Sequence, residues 1–291
     1  TTEIYTLSLH DALPILLPET IALDCLFEDV DILVINKPAG MPAHPGYGRQ
    51  SGTVVNALLG RYGLSLLDQT CGDDDDDSTA RSRPGIVHRL DMDTSGVMVC
   101  AKTRRALVEL QRQFRDRETR KEYYALAVRA PNPAEGLVTA PLGKSPVNFT
   151  RQAIRYDSEG KPAETAYRTI ASSPLGAWVA AYPKTGRTHQ IRVHLKSVGA
   201  PLYFDPVYGA PSPDIARILK RDSSYIQRHS PRHMLHAASL EIQLPSDGKR
   251  MRFVAPLPPD FDELARLMGL FPSIGNTEPE PHPIDPSVST E

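Results

Sequence analysis

Between Gly85 and Gly96 the chain reads GIVHRLDMDTSG, which places His88, Arg89, Asp91 and Asp93 within a stretch of six residues. A carboxylate among cations can attack as a nucleophile, take a proton as a base, or close a salt bridge. Loops carried by rigid strands are where such groups tend to react, but spacing alone does not separate an active site from a salt-bridged turn. Asp91 and Asp93 together would meet the need of a glycoside-hydrolysing site for paired carboxylates. Two residues apart on a turn, they need not face one substrate.

A second cluster, KTGRTHQIRVHLK, runs from Lys184 to Lys196. It lacks the order of a phosphate-binding P-loop, and its better use is to open a helix that delivers Arg192. His189 and His194, or His229, His233 and His236, invite a metal reading. The His229 and His233 pair has helical spacing but no Glu between, and sits among Ser and Pro, so zinc is not expected. The five aspartates at 73–77 are contiguous and lack the spacing of a calcium loop.

The elements that must carry these residues follow from periodicity. VDILVIN (30–36) is β-rich and runs into Lys37-Pro38-Ala39-Gly40, a turn. SGVMVCAKT (95–103) reads as a strand leaving the His88–Asp93 loop, and Arg104–Arg117 as an amphipathic helix with Leu107, Leu110 and Phe114 inward. Further strands are expected at 123–130, 151–156, 164–171 and 178–182. Residues 185–198 form a helix with Ile191, Leu195 and Val198 on one stripe and His189, Arg192 and Lys196 on another, facing outward or into a cleft. Ser246-Asp247-Gly248 marks a hairpin between strands at 234–244 and 249–255. Asp260–Gly269 reads as a helix capped by Asp260 and stopped by Gly269. Many strands with few helices and no internal repeat indicate an α+β class rather than a doubly wound sheet.

The chain has 291 residues and a net charge of −2, an average that conceals a pattern. Residues 1–80 hold 3 basic and 13 acidic side chains, residues 81–252 hold 29 and 15, and residues 253–291 hold 1 and 7. The basic centre is suited to a polyanion and coincides with the two clusters above. No apolar run is long enough to cross a membrane. Cys25, Cys71 and Cys100 show no paired spacing, so they read as reduced thiols, with Cys100 buried. Glu3 and Asp11 stand where a secretory leader would be basic, which indicates the cytoplasm. Residues 1–15 show no clean period and resemble translated adapter sequence. The expected organisation is a non-native or disordered stretch at 1–19, a catalytic domain at 20–271 with an acidic loop at 68–82, and a disordered acidic, Pro-rich tail at 272–291.

VHRLDMDTSGVMV resembles the signature of the RluA-type pseudouridine synthases. NKPAGMPAHPG (36–46), KEYYALA (121–127), GKPAETAY (160–167) and GRTHQIRVHLKSVGAPL (186–202) resemble the family's other segments, in the family's order. The resemblance covers roughly residues 20–258. It implies a large mixed, mainly antiparallel sheet flanked by a few helices, with the active-site cleft across the sheet. It also implies an isomerase that detaches uracil from C1′ of an RNA uridine and rejoins it through C5, with no cofactor and no metal.

By the same resemblance Asp91 is the catalytic carboxylate and Arg192 the guanidinium paired with it, which a desolvated carboxylate needs to stay charged. Tyr123 is the aromatic that stacks on the base, while Tyr124, pointing to the other face of a strand, belongs to the core. Arg89 enters the space left by a flipped-out uridine. His88, Arg187 and His189 are expected to handle RNA beside it. The family's P-[LI]-x-G-D-x-x-Y-G segment stands here as PLYFDPVYG, with Phe204 in place of a glycine; if that turn needs a positive φ, phenylalanine strains it. The expected partner is RNA, ribosomal or transfer, with neither DNA nor membrane, bound by a monomer. A catalytically silent RNA-binding module would need the basic surface but not Asp91, Tyr123 and Arg192.

Overall fold

The computed structural model describes residues 16–46, 49–63, 66, 83–209, 224–229 and 231–270. The expectations for residues 1–15, for Cys71 and the aspartate run, for the acidic loop at 68–82 and for the C-terminal tail at 272–291 fall outside these residues.

The first four strands are β1 (Cys25–Glu28), β2 (Ile32–Lys37), β3 (Ser95–Ala101) and β4 (Arg120–Ala127). They are followed by β5 (Glu135–Val138), β6 (Leu142–Lys144), β7 (Gln152–Ile154), β8 (Thr165–Ser173) and β9 (Gly176–Pro183), and then by β10 (Leu235–Gln243) and β11 (Arg250–Val254). Nine of them form one sheet in the order β1-β2-β3-β10-β4-β9-β8-β5, with β11 paired to β10; β6 and β7 form a separate hairpin. Every pairing in the main sheet is antiparallel except β3 with β10. The α+β, mainly antiparallel expectation is therefore met.

Strand chemistry explains which faces are covered. In β2 and β3 the side chains alternate between two clusters: Ile32, Val34, Val97 and Val99 pack with Leu107 and Leu110 of α2 (Arg104–Arg115), while Leu33, Ile35, Met98 and Cys100 pack with Leu58 and Leu59 of α1 (Val54–Tyr62). Strands buried on both faces read as unbroken apolar runs, as ILVI and VMVC do. In the other half of the sheet Leu126 and Trp178 pack against Phe261 and Leu264 of α5 (Pro259–Leu267), and the alanines of β4 and β9 against Ile191 and Leu195 of α3 (Gln190–Ser197). One short helix, α4 (Tyr225–Arg228), adds Tyr225 to the α5 cluster. No described helix is long and apolar enough to cross a membrane.

Three local outcomes differ from the sequence reading. The helix α1 was not expected, although Thr53 and Asn56 satisfy each other's backbone N–H as a capping box and Gly63, at φ 78°, ends it. Residues 16–19, expected outside the catalytic unit, pack on α1: Leu16 joins its cluster and Asn56 donates to the Leu17 carbonyl at 2.8 Å. In α5 the cap is Pro258 rather than Asp260, whose carboxylate instead receives Arg232. Arg192 lies inside the protein, 4% exposed, and of the two orientations expected for its face it takes the one into a cleft.

Candidate active site

The loop from Ile86 to Thr94 is held residue by residue. Asp91 accepts from Arg192 of α3. The Met92 carbonyl accepts from the ammonium of Lys37 at the end of β2, at 2.9 Å, and from the Gly40 N–H at 3.0 Å. The Asp93 carbonyl accepts from Arg232 at 2.9 Å, and the Thr94 hydroxyl meets His233 Nε2 at 2.8 Å. Four consecutive residues are thus tied to three separate regions of the chain, which restricts loop motion where a reacting carboxylate must keep its aim. Lys37 has no solvent exposure and also donates to the Pro38 and Met41 carbonyls. Burial, reinforced by the charge of Arg232, lowers its pKa to about 7. Just past the loop, Gly96 allows the parallel approach of β10: a Cβ there would lie 2.2 Å from the Ala237 carbonyl oxygen.

Arg192 is the centre of the charge arrangement. Its Nε and Nη2 fork the carboxylate of Asp205 at 2.8 and 2.9 Å, and its Nη1 reaches Asp91 Oδ2 at 3.0 Å. A planar guanidinium can fork one carboxylate and still reach a second in this way; an ammonium has donors enough for both but no fork. The side chain of Asp205 is fully enclosed, that of Asp91 19% exposed. Burial would raise the Asp205 carboxyl, but the Arg192 fork and the backbone N–H groups of Tyr208 and Val207 hold it below its usual range. The chemistry is therefore asymmetric: one carboxylate anchors the arginine, and the other faces open space.

That space is a cleft of about 810 Å³, within the range of roughly 300–1,000 Å³ that small-molecule sites occupy. Asp91, Tyr123, Arg192, Arg89, His88, Arg187 and His189 all line it, so every residue expected at the site is brought to one cavity. Tyr123 packs on both the α1 and α3 clusters. Burial, and next the charge of Asp91, raise its phenol pKa well above the ordinary value. Tyr124 turns the other way, edge-on to Trp178 at 5.5 Å between ring centres, as its place on the strand requires. Arg89 and Arg187 stand exposed at the rim; Arg187 Nε donates to the Pro162 carbonyl at 3.1 Å.

The two histidines differ from simple RNA contacts. His88 accepts the Val99 N–H on Nε2 at 3.1 Å and stacks on Phe114, and burial lowers its pKa to about 3, so it is a neutral brace of the loop. His189 begins α3 at φ 57°, with Nδ1 2.8 Å from the Tyr208 hydroxyl and Nε2 3.9 Å from Asp91 Oδ2. The other histidines weighed for a metal also meet structural partners: His194 meets Thr165 and the Ala140 carbonyl, His229 meets Glu263, and His236 meets Ser95.

Sequence reasoning missed Asp205, Tyr208, Lys37, Arg232 and His233. The signal for Asp205 was present: an Asp whose side chain accepts the N–H groups two and three residues on is a common turn opener. The turn also contains Phe204 at φ 53°. The positive φ suspected there is real, and the ring is held by stacking on Tyr225 at 6.1 Å.

A carboxylate and a guanidinium beside a tyrosine, in a cleft rimmed by cations on a mainly antiparallel sheet, define an enzyme site for an anionic substrate that carries a flat ring. The family model that matches residues 31–197 describes RNA pseudouridylate synthases. A ribosomal large subunit pseudouridine synthase D of Nitrosomonas europaea is 40% identical over 261 residues, 90% of this chain and 70% of the relative. The protein of that name from Escherichia coli strain K12 is 39% identical over 254 residues, covering 86% and 72%. Among solved structures, human RNA pseudouridylate synthase domain containing 4 aligns with a TM-score of 0.65 at 26% identity, over 84% of this chain and 93% of that one. The chain belongs to the RNA pseudouridylate synthase family, isomerases that convert uridine to pseudouridine in RNA.

Proposed function

We propose that this chain isomerises uridines of large-subunit ribosomal RNA, with Asp91 acting on the ribose of a flipped-out nucleotide. The observation that carries the reading is the Asp91–Arg192–Asp205 arrangement opening on a cleft of nucleoside size. The relatives named for the ribosomal large subunit favour ribosomal over transfer RNA as the substrate.

The reaction breaks C1′–N1, forms C1′–C5 and moves the C5 proton to N1, so atoms and electrons balance within the nucleotide. Asp91 serves the sugar, either by attacking C1′ or by taking the C2′ proton. Tyr123 presents its ring to the freed uracil, and its hydroxyl oxygen accepts the departing C5 proton as its own proton passes on, through solvent, to N1. Arg89 fills the gap left in the RNA stack, whose opening costs about a few kcal/mol, and Arg187 neutralises a neighbouring phosphate. The reading is of a monomer acting where ribosomal RNA is found, in the cytoplasm.

The test is tritium release from large-subunit RNA carrying 5-tritiated uridine. Wild-type protein should release tritium, and Asp91→Asn should lose on the order of 10⁴-fold in rate or more while still retaining RNA on a filter. Undiminished release by Asp91→Asn would sink the assignment, and free uracil among the products would point to a hydrolase.

A further inference from the structure

The hydrogen bonds around Tyr208 fix more than the fold requires. Its hydroxyl oxygen accepts the Gln152 N–H at 2.8 Å, and the same oxygen lies 2.8 Å from His189 Nδ1. A phenol has one proton to give. If Tyr208 gives it to Nδ1, all three groups are satisfied and the neutral imidazole carries its own hydrogen on Nε2, the nitrogen that faces Asp91. If instead Nδ1 carries the hydrogen, the phenolic proton has no acceptor among the described residues, and the Nε2 lone pair points at a carboxylate. The first arrangement wins on both counts. Burial lowers the His189 pKa, against the opposing pull of Asp91, in keeping with a neutral ring.

Tyr208 also supports the other donor to the same atom. Its ring face lies 5.0 Å from the Arg192 guanidinium carbon, and its own N–H is held by Asp205. Arg192 Nη1 and His189 Nε2 both approach Oδ2 of Asp91, at 3.0 and 3.9 Å. Oδ1 receives no hydrogen bond from the described residues. The 3.9 Å gap is longer than a hydrogen bond, and catalytic contacts of this kind commonly shorten only in the substrate complex.

We propose that Tyr208 locks His189 in the tautomer with hydrogen on Nε2, so that on substrate binding His189 joins Arg192 on Asp91 Oδ2 and commits Oδ1 to the ribose. His189 and Tyr208 are then positioning residues, one acting directly on the catalytic carboxylate and the other through the imidazole. This rests on the isomerase reading given above.

The experiment combines single-turnover kinetics with nitrogen NMR of the imidazole in the full chain, the His189 signal being assigned by its loss in His189→Gln. In wild type the spectrum should show hydrogen on Nε2 and none on Nδ1. Tyr208→Phe, which keeps the ring over Arg192, should lower the single-turnover rate about tenfold with RNA affinity unchanged. His189→Ala should lower it on the order of 10- to 100-fold, the range of one charge-assisted hydrogen bond. The double variant should be no slower than His189→Ala alone, because the hydroxyl works through the imidazole. Hydrogen on Nδ1 in wild type, multiplicative effects in the double variant, or full activity in His189→Ala would each overturn the proposal. A wild-type protein that releases no tritium would refute the isomerase reading instead, and the spectrum would still decide the tautomer.

Discussion

Two buried arginines hold the same loop at two points, and the contrast between them separates the proposed reactive carboxylate from its frame. Arg192 and Arg232 are 4% and 7% exposed, and each forks a carboxylate, Asp205 in one case and Asp260 in the other. Each then has Nη1 left for the loop. Arg192 gives it to the side-chain oxygen of Asp91, whereas Arg232 gives it to backbone carbonyls, that of Asp93 at 2.9 Å and those of His233 and Leu235 beyond it. A carbonyl so held is inert and becomes scaffold. A carboxylate so held keeps a second oxygen without a hydrogen bond from the described residues, on a side chain that lines the cleft. The same buried fork thus builds either a frame or the proposed reaction centre, according to which atom receives its third nitrogen.

Arg192→Leu should break the contrast most severely. It leaves Asp205 enclosed without a counter-charge, at a cost of about 3–5 kcal/mol, and it removes the partner of Asp91. Urea unfolding should show the first loss, and tritium release from protein shown to be folded should fall by about 10³-fold or more. Arg232→Leu should cost less in stability, about 2–4 kcal/mol, because Asp260 keeps some solvent. Its folded fraction should retain activity within about tenfold of wild type. Equal catalytic losses in the two variants would erase the distinction between frame and centre.

How much of this was legible beforehand depends on where each residue's meaning resides. Asp91, Tyr123 and Arg192 could be found because each sits in a stretch of sequence that resembles a family segment. The long strands could be found because ILVI, VMVC and AWVAAY are unbroken apolar runs. Arg232 could not, since its function is a pairing across 139 residues and nothing local distinguishes such an Arg from a surface one; Asp205 carried a turn signal, but not the news that its partner is Arg192, 13 residues away. The strands β1, β5, β6 and β7, at three or four residues, are too short to show a period, and only β7 fell inside an expected strand. The helix α1 carried its capping signal but was hidden beside the polar loop.

The pH dependence sharpens the frame side of the comparison. His233, which meets Thr94 behind the loop, has its pKa lowered to about 3, chiefly by burial and next by the charge of Arg192. The unfolded chain therefore binds a proton there below about pH 6.5 that the folded protein does not accept until about pH 3. Stability is full above the upper value and is lost as the pH falls through this window. From pH 6.5 to 5 the cost is roughly 2 kcal/mol for this one group. Unfolding free energies of wild type and His233→Gln should differ by that much in their pH response, and parallel curves would show that the imidazole is not the titrating group. The smallest effect belongs to Phe204→Gly. Relief of the left-handed backbone and loss of the stack on Tyr225 oppose each other, leaving a change of about 1 kcal/mol or less, measurable as a small shift in the unfolding midpoint.

The place of β10 in the sheet has a consequence for how the enzyme is made. Strands β1, β2 and β3 form one group and β4, β5, β8 and β9 another, and only β10, residues 235–243, is hydrogen-bonded to both, through β3 on one side and β4 on the other. Asp91 precedes β3 in the first group, while Tyr123 and Arg192 belong with the second. On the ribosome, where domains form as the chain emerges, both groups leave the exit tunnel before the strand that unites them. A chain that stops short of Leu235–Gln243 therefore carries all three of the proposed reacting side chains without the strand that pairs their two halves of the sheet.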